Sequence, residues 1–238
     1  MELELKKECL DTYELGEPQT LTQEETAETI VPDYCPDIAR IISAEGVVCL
    51  HGGTEQDGVT GTVRVTVLYT PENESGVRAL EFAMPFSAQG EGLAGCAHVV
   101  VETEIELLES RMLNPRKIFT RCKLVTHLAG CRKVCLTISS DAETDPALLV
   151  EKRCCGQTVS LLRQVAEKDL TFSETMSLSL GREGAAELLH CRANGIVTET
   201  KAIGNKLIFK GVFWVSALYR TIGGQLASAS AELPFSQI

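Results

Sequence analysis

The sequence is short of aromatic residues, which fill 5% of its 238 positions with a single tryptophan. It is also short of positive charge. Lys and Arg number 22 against 33 Asp and Glu, giving a net charge of -11 and a pI near 4.9. The first shortage leaves little for a sugar-stacking face, so carbohydrate binding is the weakest binding reading, and an all-β fold alone would not warrant it. The second removes the cationic surface that neutralises phosphates, so nucleic acid is not an expected partner. No apolar run approaches the ~18 residues of a membrane-spanning helix. The opening MELELKKECL lacks the apolar core of a signal peptide. Membrane insertion is therefore not expected. Also missing are G-x-S-x-G, a P-loop, H-E-x-x-H and a dinucleotide fingerprint. The four histidines (His51, His98, His127 and His190) stand in unrelated contexts. The expectation is a non-enzyme without a cofactor.

Cysteine is plentiful, at ten residues. A disulfide framework suits small exported domains, and this chain is larger. Reduced thiols, several buried as small apolar residues, are the plain expectation. Cys122, His127, Cys131, Cys135, Cys154 and Cys155 do lie close in sequence. Four such ligands in tetrahedral array would bind zinc. The spacing Cys131-x3-Cys135 is looser than a C-x2-C knuckle, and neighbours such as Cys154 and Cys155 point to opposite faces in a strand. A thiol- or zinc-dependent protein using the Cys122–Cys155 cluster, with Cys122, His127, Cys131 and Cys135 as the metal candidates, is the alternative function.

The chain echoes itself. PFS occurs at 85–87 and again at 234–236, preceded by GTVRVTVLY at 61–69 and GVFWVSALY at 211–219. Gly61/Gly211 and Tyr69/Tyr219 are 150 apart, Pro85/Pro234 149 apart, and Gly46/Gly195 also 149 apart. Anchors at one offset point to internal duplication. Val63, Val65, Val67 and Tyr69 alternate with polar residues, the period of a half-buried strand. PENESG at 71–76 and TIGG at 221–224 read as hairpin turns, and each Pro-Phe reads as a strand end or bulge because Pro cannot donate to a ladder.

Downstream, Val99, Val101, Thr103, Ile105 and Leu107 fall on one face, and Val100, Glu102, Glu104, Glu106 and Leu108 on the other. A turn at Asn114-Pro115 leads to a strand with Arg121 and Lys123 outward. The glutamates read as a solvated face opposite cations, not as catalytic acids. Two short helices are expected, at 36–45 with Ile38, Ile41 and Ile42 at helical spacing, and at 181–195 with Ala185, Leu188 and Leu189.

The expected fold is mainly β, with two tandem β-sandwich-like modules from an internal duplication, each with one short helix. Residues 1–19 form an N-terminal arm, 20–140 module 1, 141–167 a connector and 168–238 an incomplete module 2. An incomplete module leaves an unpaired edge and an open core. Either the chain is a fragment or another segment completes the second sheet, the N-terminal stretch or a copy from another chain, and the fragment reading is preferred. Trp214 replaces Arg64 at the equivalent outward position. It is either packed between modules or an exposed partner anchor.

The opening MELELKKE, then IVPDYCPDIARI, then G-x-V-x-V-x-V-L-Y, then Pro-Phe resemble the SPOCS-domain family of spore-forming Firmicutes, which includes SipL-like spore-coat morphogenetic proteins. VPDxxPDIARI is the most specific element. The resemblance implies a scaffold located in the mother-cell cytoplasm at the forespore surface. It implies spore-coat proteins as partners, among them the coat's basement-layer ATPase through a C-terminal LysM domain that is not visible here. Self-association through sheet edges is a further expectation. The resemblance brings no catalytic residues.

Overall fold

A computed structural model describes residues 4–51, 58–143, 151, 153, 155–156, 158–166, 173 and 184–238. Among these residues there are ten strands and no helix: β1 (Glu4–Leu15), β2 (Gln19–Ile30), β3 (Ile38–His51), β4 (Gly58–Pro71), β5 (Arg78–Gln89), β6 (His98–Asn114), β7 (Lys117–Glu143), β8 (Ala185–Ile203), β9 (Lys206–Thr221) and β10 (Leu226–Gln237). They form one four-stranded and two three-stranded sheets, all antiparallel.

In the four-stranded sheet, β7 is central. One edge carries β6, and the other carries β1 and β2 end to end. The β3-β4-β5 sheet packs against it through β3 on β6 and β2 on β5. Period-2 patterning in β4 sends Val63, Val65, Val67 and Tyr69 into the space between the layers, with Leu80, Met84 and Phe86 from β5. From the facing sheet come Ile118, Cys122 and Leu124 of β7, with Ile105 and Leu108 of β6 packed beside them. This is a β-sandwich core. Gly46 marks the close approach of the layers, since a Cβ there would lie 2.8 Å from the Ile105 Cδ1 and 3.1 Å from the Leu108 Cδ2.

The third sheet, β8-β9-β10, repeats the order and register of β3-β4-β5. Gly61 pairs with Phe86 and Gly211 with Phe235; Arg64 pairs with Ala83 and Trp214 with Glu232. Phe86 and Phe235 each lie over the glycine they face, so a Cβ at Gly61 would meet the ring at 2.4 Å and one at Gly211 at 2.6 Å. The repeated Gly and Phe are thus one cross-strand unit, an aromatic ring filling the hole a glycine leaves.

Both expected helices are strands where described, from Ile38 and from Ala185 onward. Ile38, Ile41 and Ala44 face inward at intervals of three because β3 carries irregularities after Ile38 and after Ile41. Each β-bulge adds one residue and turns a period of two into three, which imitates helical spacing. β8 has the same shifts after Ala185 and Leu188. Register also corrects the outer anchor: Val48 faces Val63 and Gly195 faces Phe213, so β3 and β8 correspond at 147, not at the 149 of Gly46/Gly195. A bulge at Glu106 likewise flips the phase of β6. Leu108, not Leu107, joins the core, while Leu107 pairs with Lys123. The acidic face is solvated as expected, with Glu106 2.9 Å from Lys123.

Pro85 and Pro234 end no strand. They sit mid-way in β5 and β10, which are edge strands where a missing N–H leaves the paired side intact. The N-terminal arm β1 pairs with β7, not with the third sheet. β7 itself runs on to Glu143, past the expected module end. The start of the expected module 2, residues 168–183, lies outside the described residues apart from residue 173.

Candidate functional site

The four metal candidates are not brought together. β7 alternates strictly from Lys117 to Gly130, with even positions inward. Cys122 therefore points into the sandwich core and His127 to the other face, where its Nδ1 lies 3.0 Å from Thr20 Oγ1. Cys131 is buried where Ala97 N donates to its carbonyl. Cys135 is bonded to Cys9, with Cα atoms 5.7 Å apart. His127, Cys131 and Cys135 follow one another at four-residue steps, about 13 Å each along a strand, whereas one zinc ion needs ligands within about 2.3 Å of itself. Among the described residues no group of three or more His, Cys, Asp or Glu can hold a metal ion; Cys154 lies outside them.

Burial pushes the Cys122 thiol up to about 11, with a smaller contribution from Glu25. It is a core side chain, held neutral, and a poor nucleophile. Tyr69 is pushed up to about 12, chiefly by burial and then by Cys35.

The VPDYCPDIARI stretch has a function in the fold that sequence reasoning did not find. It forms the loop from β2 to β3 and closes around Arg116 at the tip of the β6–β7 hairpin. Arg116 Nη1 donates to Cys35 O (2.8 Å) and Asp37 Oδ1 (3.1 Å); Nη2 donates to Val31 O (2.8 Å) and Asp33 Oδ1 (3.1 Å). Backbone bonds add to this, from Val31 N to Arg116 O and from Ile38 N to Pro115 O, both 2.9 Å. The two Pro-Asp pairs thus hold a planar guanidinium by its fork and tie one sheet to the other at the mouth of the core.

Trp214 lies on the outer face of the third sheet, 46% exposed, and its Nε1 donates to Glu232 Oε1 at 3.1 Å. Ile196, 48% exposed, shares that face one step along β8. On the inner face the two repeated sheets differ. Val63, Met84 and Phe86 are buried in the sandwich, while their counterparts Phe213, Leu233 and Phe235 are half-buried and Val197 is 52% exposed. Elsewhere on that face Leu189, Val215, Ala217 and Tyr219 are buried, so the third sheet exposes apolar side chains at Trp214 and Ile196 outside and at Val197 inside, the surface chemistry of a protein contact. Polar groups join the two sheets of the repeat. Glu187 Oε2 accepts from Arg78 Nη1 at 2.8 Å and Arg220 Nη2 at 2.6 Å, and His190 Nε2 lies 3.1 Å from Glu45 Oε2.

Residues 185–238 match a family model described as SipL, SPOCS domain. The matched stretch is β8, β9 and β10, the sheet that carries Trp214. The resemblance read from the sequence is met there. No curated protein and no solved structure matches the chain.

Proposed function

We propose that the chain is a non-enzymatic structural protein of spore-coat assembly, acting by protein–protein contacts at the forespore surface. The observation that carries this reading is the coincidence of the SPOCS match with the sheet that exposes Trp214, Ile196 and Val197.

A fluorescent fusion of the full-length protein, followed through sporulation of the host, tests it. A shell of signal around the forespore is the expected result, and diffuse signal throughout vegetative cells would sink the reading. The contact itself is assigned to Trp214, since Trp is enriched among interface hot spots. Trp214→Ala should leave the melting temperature within a few degrees, as surface substitutions shift stability by about 0.5 kcal/mol. It should weaken capture of coat proteins about tenfold or more. A large fall in melting temperature would place Trp214 among structural residues instead.

A further inference from the structure

β1 and β2 occupy one edge of β7 in a single line, Glu4–Leu15 facing Glu143–Cys131 and Gln19–Ile30 facing Leu128–Lys117. The two halves are held differently. The β2 half of β7 is flanked on its other edge by β6 and packs into the core. β6 pairing ends at Cys131, so β1 and residues 132–143 form a two-stranded ribbon. Leu5, Leu136 and Ile138 on it are exposed. A ribbon of two strands is marginal alone.

Among the described residues, Ser140 Oγ donates to Lys6 O (3.4 Å), the Tyr13 ring lies 6.2 Å from that of His98, and further contacts hold the ribbon. The Cys9–Cys135 bond joins diagonal neighbours of the ladder, and both residues are exposed; the 5.7 Å between their Cα atoms is ordinary for a disulfide. Lys133 lies 3.3 Å from Asp11, both solvated. Leu162 O accepts from Tyr13 N (2.8 Å) and Thr12 Oγ1 (2.9 Å). Between β1 and β2 the chain is Gly16-Glu17-Pro18, anchored by Gly16 N on Gly130 O.

We propose that Cys9–Cys135 is a redox latch on an exchangeable arm: when the bond is reduced, β1 leaves its own β7 and takes the same place on β7 of a second copy. The occupant follows from the register. The edge at 131–143 is matched by the β1 sequence along its length, with one bulge at Ser140, and each copy carries that sequence. Exchange of an identical element is a low-cost route to a dimer.

The chemistry is thiol–disulfide exchange. A small thiol, as its thiolate, attacks one sulfur; the protein S–S bond breaks, a mixed disulfide forms, and the other cysteine leaves as a thiolate and takes a proton. A second small thiol resolves the mixed disulfide. The sum is one protein disulfide plus two small thiols giving two cysteine thiols plus one small disulfide. Closure is the reverse, with the small disulfide as oxidant, and it fixes β1 on whichever copy it occupies.

The test mixes full-length Cys9→Ser and Cys135→Ser chains, reduces them and reoxidises with glutathione disulfide. Neither variant can rebuild the pair within itself. The expected product is a covalent dimer containing one of each, in which mass spectrometry finds a Cys9–Cys135 linked peptide absent from each variant oxidised alone. Dimers through other cysteines appear in those single-variant controls and are subtracted. A mixture without the Cys9–Cys135 peptide overturns the exchange. In the wild-type chain, reduction should raise amide exchange of residues 5–15 and 132–143 about tenfold or more while β4 and β5 keep their protection. Unchanged protection of β1 after reduction overturns the latch.

Discussion

At the tip of the β6–β7 hairpin a single guanidinium satisfies two carbonyls and two carboxylates from one loop. Lys has the charge but not the fork, so Arg116→Lys should not rescue what Arg116→Ala loses. Arg116 is about a third exposed, which weakens its ion pairs through solvent screening. The bonds to Val31 O and Cys35 O would remain unmade in the variants, so the expected loss in urea unfolding is about 2 kcal/mol. A loss under about 0.5 kcal/mol would show the loop closes without it. Nothing in the local sequence marked Arg116, because its partners lie far upstream and two of them are backbone atoms. The aspartates, by contrast, were legible as part of a specific motif whose purpose was not.

Cys122 and Tyr69 give the core an alkaline signature. Each is protonated in the folded protein at pH values where the unfolded chain has released its proton, so the unfolded state binds fewer protons there and stability falls as pH rises. The window runs from the ordinary thiol range near 9 to about 11 for Cys122, and from 10 to about 12 for Tyr69. Below pH 9 the contribution is flat. Cys122→Ala should remove the 9–11 part of the decline while costing stability at every pH for the cavity it leaves, about 1–2 kcal/mol. Denaturant midpoints measured from pH 8 to 11 on both proteins check this. Parallel declines would assign the slope to other groups.

At the level of elements, alternation was legible and its interruptions were not. The strands β4, β5, β9 and β10 follow from period 2, and the outward position of Trp214 follows from Arg64. What misled was the bulge: it leaves no mark in composition, yet it shifts every later side chain to the other face. Ile38, Ile41 and Ala44 then carry a spacing that a helix shares. The Gly–Phe unit was half legible, since both residues were seen to repeat but not to face each other. A Cβ at Gly211 would meet Ile196 O at 2.2 Å and the Phe235 ring at 2.6 Å. The ring can swing away; the carbonyl belongs to the β8 ladder and cannot move without breaking it. Gly211→Ala should therefore destabilise the third sheet by about 2 kcal/mol or more, read as faster amide exchange in β8 and β10, with the β6–β7 pairing unaffected. Exchange unaltered in β8 would mean the ladder absorbs the shift.

For the whole molecule, the question is how the third sheet is held to the sandwich. The described polar contacts between them are Glu187 shared by Arg78 of β5 and Arg220 of β9, and Glu45 of β3 beside His190 of β8. Arg78 is braced in turn by Glu74, 2.6 Å away. Such partly exposed pairs contribute little to stability, about 0–1 kcal/mol each, yet they fix direction, because one carboxylate oxygen must reach two guanidinium groups on different sheets. Glu187→Gln keeps an oxygen there and removes the charge. It should change global stability by less than about 1 kcal/mol while widening the distribution of distances between probes on β5 and β10, measured by double electron–electron resonance. High salt should widen the wild-type distribution in the same direction, since exposed pairs are screened over about 10 Å at 0.1 M. A narrow distribution that neither change disturbs would mean the joint is not electrostatic. If the joint does loosen, the apolar faces of the third sheet turn relative to the sandwich, and binding at Trp214 then carries an orientational cost that the intact Glu187 bridge avoids.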